Sequence, residues 1–181
     1  MLQKIIFGAF LLAILTFPQG VRADLTVGKS ADLVANQPQA DQRVPRLESY
    51  LARHNPEIAS KASVFVREAD KYSLDWKLVA AIAGLESTFC RFIPDGSYNC
   101  WGWGIPSGAP FGVGFSSFDQ GIATVSEGLR KRYVDRGLIT VEEIGQVYAA
   151  SPTWASRVRY FMDNIETYAM ADTALSLELL L

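Results

Sequence analysis

The stretch AIAGLESTFC, residues 81–90, decides how this chain is interpreted, because it sets one carboxylate in a segment that otherwise has the character of a buried helix. At 100° per residue, Val79, Ile82 and Ala83 share the helix face of Glu86. The helix dipole is negative near its C-terminal end, and apolar neighbours withdraw a carboxylate from water. Both effects favour a carboxylic acid that keeps its proton near neutral pH, as a general acid must.

The alternative is a helix-end glutamate that reaches solvent or pairs with Arg91. The two cysteines that follow bear on this choice. Cys90 lies four residues after Glu86, and nine residues separate it from Cys100. In an exported chain such a pair is expected to form a disulfide, which stabilises by roughly 3 kcal/mol for so short a loop. A zinc pair is the competing interpretation, but one histidine and no second cysteine pair leave the ligand set incomplete, so we expect no metal.

An aromatic and glycine-rich segment, Trp101-Gly102-Trp103-Gly104, follows the second cysteine directly, and Tyr98 precedes it. The predicted disulfide would fold this segment back toward Glu86. Aromatic planes can form the floor of a sugar site, and glycines let a ligand approach the main chain closely. Equally, Trp101 and Trp103 could fill the core beneath a loop.

The chain from Pro45 onward has the period and capping signals of helices. These signals predict six helices, which begin at Pro45, Pro56, Trp76, Ser117, Thr140 and Ser151. Residues 89–116 carry too many glycines for a stable helix. They predict a long functional loop, with room for a small hairpin around Asp95-Gly96.

The N-terminal residues have the order of a secretory signal peptide: Lys4, an apolar run over 5–17, and small residues ending at Ala23. The apolar run is about 13 residues, whereas a membrane-spanning helix needs about 20. We therefore predict a cleaved signal peptide over 1–23, a flexible linker over 24–44, and a secreted or periplasmic protein without a stable membrane span.

Charge and histidine content exclude other classes. Without Lys4 and Arg22 the chain has 15 basic and 19 acidic residues, a net charge of −4, which disfavours nucleic acid as a partner. A Ser-His-Asp hydrolase would have to use His54, which we expect in a solvated link between helices. The chemistry is therefore expected to rest on carboxylates.

Three motifs in order resemble those of a known group: Leu85-Glu86-Ser87 at a helix end, the Trp101–Gly104 segment, and Val147-Tyr148-Ala149-Ala150-Ser151, about 60 residues after Glu86. Together they resemble the lysozyme-like superfamily, and most closely the soluble lytic transglycosylases and the bacterial endo-beta-N-acetylglucosaminidases. The chain departs from the transglycosylase pattern in Gly-Trp-Gly-Ile for Gly-Leu-Met-Gln, in Ala149 for asparagine and in Ser151 for glycine.

The resemblance implies a mainly α (α+β lysozyme-like) domain, which we assign to 45–170, with a C-terminal tail over 171–181. It implies a peptidoglycan glycosidase with Glu86 as acid and base. Ser87 and Tyr148 would orient the acid or the substrate's N-acetyl group, and the cleft would be lined by Tyr98, Trp101 and Trp103. The partner would be a peptidoglycan glycan strand, bound by a monomer without a cofactor.

Glycoside cleavage normally uses two carboxylates. Asp95 is the first candidate for the second one and Asp119 a weaker candidate, although a turn or N-cap role suits each of them. If neither takes part, the resemblance implies attack by the substrate's own N-acetyl group. Two rival functions stay open: a non-catalytic glycan-binding module on the same scaffold, and a secreted helical protein whose aromatic loop contacts another protein.

Overall fold

The computed structural model describes residues 41–104 and 113–178, with side chains to Tyr168. The predicted signal peptide, and the predicted linker up to residue 40, lie outside the described residues. The described residues form seven α-helices and one 3₁₀ helix: α1 Arg43–Ala52, α2 Pro56–Ala59, α3 Ala62–Tyr72, α4 Leu78–Ser87, α5 Phe118–Arg132, the 3₁₀ helix Val134–Arg136, α6 Val141–Tyr148 and α7 Trp154–Glu178.

All six predicted helices occur, with changes at their ends. The second predicted helix is divided into α2 and α3 by a turn at Ser60 and Lys61. The first begins two residues before Pro45, which is accommodated in the first turn, where backbone N–H groups lack helical partners. The predicted tail from residue 171 is helical as far as Glu178, as the continuation of α7.

Helix α4 forms the centre of the domain. Eight of its ten residues are buried, and it packs along α7. Gly84 permits this packing, because a Cβ at that position would lie 2.6 Å from the Phe89 ring and 3.2 Å from Phe161. Around this pair, α3 packs on α5, and α1 packs on α3 and α7. The C-terminal end of α4, which carries Glu86, is thereby fixed at the edge of the core.

Two glycines of α5 receive the two tryptophans of the loop. A Cβ on Gly121 would lie 2.7 Å from the Trp101 ring, and one on Gly128 would lie 2.2 Å from the Trp103 ring. Since the two glycines are seven residues apart, they share one face of the helix. The indole rings therefore lie directly on the α5 backbone.

The segment between α4 and α5 is a loop in the part that the structure describes. No strand occurs in residues 41–104 or 113–178, so of the two predicted forms the loop is found and the small hairpin around Asp95-Gly96 is wrong. A turn does form there, with the Ser97 N–H donating to Pro94 O at 3.0 Å and Gly96 at φ 68°. The chain then continues into the tryptophan segment without pairing as a ladder. Within the described ranges, no helix is long and apolar enough to span a bilayer.

Candidate active site

Glu86 lies one residue before the end of α4, with its carboxylate against the first turn of α7. Its Oε1 accepts a hydrogen bond from the Trp154 indole Nε1–H at 2.8 Å. The residue as a whole is exposed, whereas this hydrogen bond is partly buried, so the carboxyl is open to solvent although its Oε1 is covered in part. Oε2 makes no hydrogen bond to any residue in the described ranges, which leaves it available to hold a proton.

The surroundings raise the pKa of Glu86 above its ordinary value. Partial burial is the largest cause, and it outweighs the Trp154 hydrogen bond and the positive charge of Arg157, both of which favour the ionised form. The predicted buried face is confirmed, since Val79, Ile82 and Ala83 are all buried. The cation that acts on this carboxylate is Arg157 of α7, where the sequence had suggested Arg91.

The backbone directly after Glu86 is unusual. Thr88, Phe89 and Cys90 have φ values of 54°, 54° and 66°, which places three consecutive non-glycine residues in the left-handed region. Each such residue costs free energy, and runs of this kind are kept only where other contacts hold them. One of those contacts comes from the N-cap residue of α2: Asn55 Nδ2 donates to Phe89 O at 3.0 Å.

The Cys90–Cys100 disulfide is confirmed, with the two Cα atoms 4.7 Å apart. Ser87 reinforces it. Its Oγ lies 2.8 Å from Cys100 O and 3.0 Å from Ala83 O, and it accepts the Cys90 N–H at 3.0 Å. Ser87 is only 5% exposed, and its hydroxyl ties the helix end to the loop. The role expected for it, orienting Glu86 or the substrate's N-acetyl group, stays a prediction.

Trp101 and Trp103 are core residues. Trp101 is 0% exposed and donates its indole N–H to Val79 O at 2.9 Å, and Trp103 is 7% exposed. Asn99 fixes both: its Oδ1 accepts the backbone N–H of each tryptophan, while its Nδ2 donates to Trp103 O and Val113 O, each at 2.9 Å. The interpretation of Trp101 as cleft lining is therefore wrong, since no face of its ring reaches solvent. Trp103 exposes only a small fraction of its surface.

Tyr148, at the end of α6, joins the tryptophan segment to Glu86. Its ring stacks on Trp154 with centroids 4.7 Å apart and lies 5.9 Å from the Trp103 ring. Its hydroxyl donates to Trp101 O at 2.8 Å. Burial, followed by the negative charge of Glu86, raises the pKa of Tyr148 well above its ordinary value, so the phenol stays neutral. The structure thus brings together Glu86, Tyr148 and Trp154, and we call Trp103, Tyr148 and Trp154 the aromatic row.

Comparison with solved structures finds a protein of similar fold. The chain aligns with a crystal structure of a catalytic mutant of S. aureus autolysin E in complex with the disaccharide NAG-NAM. The TM-score is 0.59 at 17% sequence identity, and the alignment covers 68% of this chain and 66% of the autolysin chain, just under two thirds. The fold is lysozyme-like and mainly α, as predicted. No protein-family model matches the sequence, and no curated protein matches it either.

The other candidate residues make no hydrogen bond or ring contact with Glu86, Tyr148 or Trp154 in the described ranges. Tyr98 is half-buried and makes an edge contact with Phe118, at 5.0 Å between ring centroids. Asp95 is exposed on the loop turn. Asp119 forms an ion pair with Lys61 at 2.9 Å in the first turn of α5. His54 is in the predicted link between helices but is only partly solvated, because its ring stacks on Phe89 with centroids 4.4 Å apart.

Three contributors to the site were missed from the sequence. Trp154 and Arg157 were not singled out in the last helix, and Asn99 was not singled out in the loop. Trp154 is 68 residues from Glu86, and nothing in its local pattern indicates a polar partner. The asparagine did offer a signal, because a long loop that buries two tryptophans needs a side chain to satisfy its backbone groups.

Proposed function

We propose that this chain is an extracytoplasmic glycosidase that cleaves the β-1,4 glycan backbone of peptidoglycan, with Glu86 as general acid and base. The observation that carries the proposal is Glu86 itself: a carboxyl with raised pKa, open to solvent, near the C-terminal end of the mostly buried helix α4. A fold shared with an autolysin that binds NAG-NAM supports the substrate class. The disulfide supports an oxidising compartment outside the cytosol.

In the first step, protonated Glu86 donates its proton to the glycosidic oxygen while the bond from that oxygen to the anomeric carbon breaks. The Trp154 indole fixes Oε1, so Oε2 is the oxygen that presents the proton. In the second step the same carboxylate takes a proton from the incoming hydroxyl, which restores the acid. Tyr148 supports Trp154 by stacking and keeps its own proton throughout.

The nucleophile in this proposal is the substrate's own N-acetyl oxygen. The groups that act on Glu86 in the described structure are an indole and a guanidinium, and neither can attack carbon. Asp95 is exposed, and Asp119 is engaged with Lys61. Some glycosidase families use substrate assistance in place of a second carboxylate. Attack on the resulting intermediate by the sugar's 6-hydroxyl gives an anhydro product, and attack by water gives hydrolysis.

Replacement of the acid tests the proposal. Purified Glu86→Gln protein should leave peptidoglycan intact in a zymogram that the parent clears, with a loss of 10²-fold or more, which is typical when a general acid is removed. Glu48→Gln, which removes an exposed carboxylate from α1, is the matched control and should clear like the parent. Equal clearing by Glu86→Gln would remove this residue from the mechanism.

The same proteins separate catalysis from simple binding. If the parent binds peptidoglycan but releases nothing, and Glu86→Gln binds equally well, the chain is a glycan-binding module. If the parent releases muropeptides, their masses identify the chemistry, because an anhydro product is one water lighter than a hydrolytic product.

A further inference from the structure

A small pocket lies next to the aromatic row, at the C-terminal end of α5. It encloses about 130 Å³, and its walls are Gly102, Trp103, Gly104, Arg132, Tyr133 and Tyr148. Trp103 and Tyr148 belong both to this pocket and to the row that ends at Glu86. The pocket therefore adjoins the proposed active site and shares Tyr148 with it.

The charged group of the pocket is Arg132, the last residue of α5. Its two basic neighbours are paired, Arg130 with Asp135 and Lys131 with Glu127. Arg132 forms no ion pair with any carboxylate in the described ranges, and none of the six wall residues is acidic. Its guanidinium carbon lies 5.4 Å from the centre of the Trp103 ring. The pocket thus has a positive charge that no protein carboxylate in those ranges neutralises.

The wall beneath this charge is rigid. The Trp103 ring lies on the α5 backbone at Gly128, one turn before Arg132, and Asn99 holds its backbone at both the N–H and the carbonyl. A planar guanidinium above a fixed indole is restrained in orientation while its N–H groups stay free to donate. Tyr133, on the same wall, makes no side-chain hydrogen bond to a described residue. These features suit a ligand that is small, planar and anionic.

We propose that Arg132 binds a carboxylate of the glycan strand, next to the sugar unit that lies at Glu86. This inference rests on the proposed function and adds a specificity residue to it. N-acetylmuramic acid carries a lactyl carboxylate when no peptide is attached, and its stem peptide carries carboxylates when one is. N-acetylglucosamine has neither. The site would therefore select muramic acid-containing glycan over a polymer of N-acetylglucosamine alone.

Binding to three probes tests the inference, with the full exported chain carrying Glu86→Gln so that no probe is cleaved. The probes are a hexamer of N-acetylglucosamine, a peptide-free NAG-NAM hexasaccharide and the same hexasaccharide with stem peptides. Adding Arg132→Gln should weaken binding of a carboxylate probe by about tenfold or more, the range for a charge-assisted hydrogen bond. Binding of the N-acetylglucosamine hexamer should change less than about twofold. Arg136→Gln, which removes an exposed charge four residues away, should leave all three affinities unchanged.

The probes also identify the source of the carboxylate. A loss confined to the peptide-free probe assigns the lactyl group, and a loss confined to the peptide-bearing probe assigns the stem peptide. If Arg132→Gln weakens binding of all three probes equally, the inference is overturned, because Arg132 would then serve only to hold Trp103. Unchanged binding of both carboxylate probes overturns it as well. The zymogram keeps the two proposals distinct. If the parent clears peptidoglycan but Arg132→Gln does not change probe binding, only this inference is overturned. If Arg132→Gln weakens probe binding but the parent does not clear, only the proposed catalysis is overturned.

Discussion

At the scale of single residues, helical geometry predicted the apolar surroundings of Glu86 and the direction of its pKa shift. Burial of Val79, Ile82 and Ala83 follows from their spacing, and withdrawal of the carboxylate from water follows from that burial. The hydrogen bond from Trp154 did not follow, because a contact across 68 residues depends on how α4 and α7 meet. The local sequence pattern does not indicate how these two helices pack.

Arg157 gives a test of the electrostatics at this scale. Its charge favours ionised Glu86, so Arg157→Gln should raise the pKa of the acid further. Since the acid must be protonated to act, the alkaline limb of kcat/KM against pH should move to higher pH in the variant. The measurement is a pH profile of glycan cleavage at fixed ionic strength.

Arg91→Gln serves as the control for this profile. Arg91 is exposed and is not among the groups that shift the pKa of Glu86, so its removal should leave the limb in place. A limb that moves to lower pH in Arg157→Gln, or does not move at all, would contradict the assignment of Glu86 as the titrating acid.

At the scale of elements, caps were more informative than composition. The capping box predicted for α6 forms between Thr140 and Glu143. Of the Ser117–Gln120 box expected for α5, only the Ser117 N-cap forms, because the Gln120 side chain accepts the Ser116 N–H instead. The sequence left open whether Trp101 and Trp103 are buried. The residues that they pack against are glycines, and a glycine in a helical pattern indicates only a low helix propensity. Glycine is needed at 121 and 128 because the indole rings leave no room for a Cβ there.

Gly128→Ala tests this contact. Alanine favours a helix by about 1 kcal/mol over glycine, so an isolated α5 would gain stability. In the folded chain the new Cβ would lie 2.2 Å from the Trp103 ring, which must shift. We expect a net loss of about 1–3 kcal/mol in the free energy of unfolding, measured by denaturant titration.

Gly114→Ala is the matched control, since its Cβ would meet nothing closer than Ser97 O at 3.9 Å. That variant should stay within about 0.5 kcal/mol of the parent. A Gly128→Ala protein more stable than the parent would show that the Trp103 ring moves aside at no cost.

At the scale of the whole molecule, the end of α4 is held from several directions. The disulfide ties it to the loop, Asn55 ties it to the start of α2, and His54 packs on Phe89 and Tyr50. Burial, then the charges of Arg53 and Arg91, lowers the pKa of His54. The sequence placed this histidine between helices but could not show that the link folds back on the helix end, since that depends on the left-handed residues after Glu86.

The lowered pKa of His54 makes global stability depend on pH. In the unfolded chain the imidazole takes up a proton near pH 6.5, while the folded state resists it. The free energy of unfolding should therefore fall as pH drops through about 6.5 and level off below the lowered folded-state pKa. His54→Phe keeps a ring on Phe89 but does not titrate, so the parent should lose stability relative to this variant over that window.

The carboxylates titrate alike in both proteins, so the difference between the two stability curves isolates the imidazole. It is measured by denaturant unfolding at a series of pH values from 8 to 5. Parallel curves would mean that His54 has its ordinary pKa in the folded state.

Two indole rings packed directly on a helix backbone restrict which sequence changes this protein can accept in evolution. Positions 101 and 121, and likewise 103 and 128, are free to change only in pairs, because a side chain at either glycine needs a smaller ring opposite. Homologous sequences should accordingly keep glycine at 128 wherever they keep tryptophan at 103, and lose both together. A homologue that keeps tryptophan at 103 but has alanine or a larger residue at 128 would need a different backbone conformation in the loop.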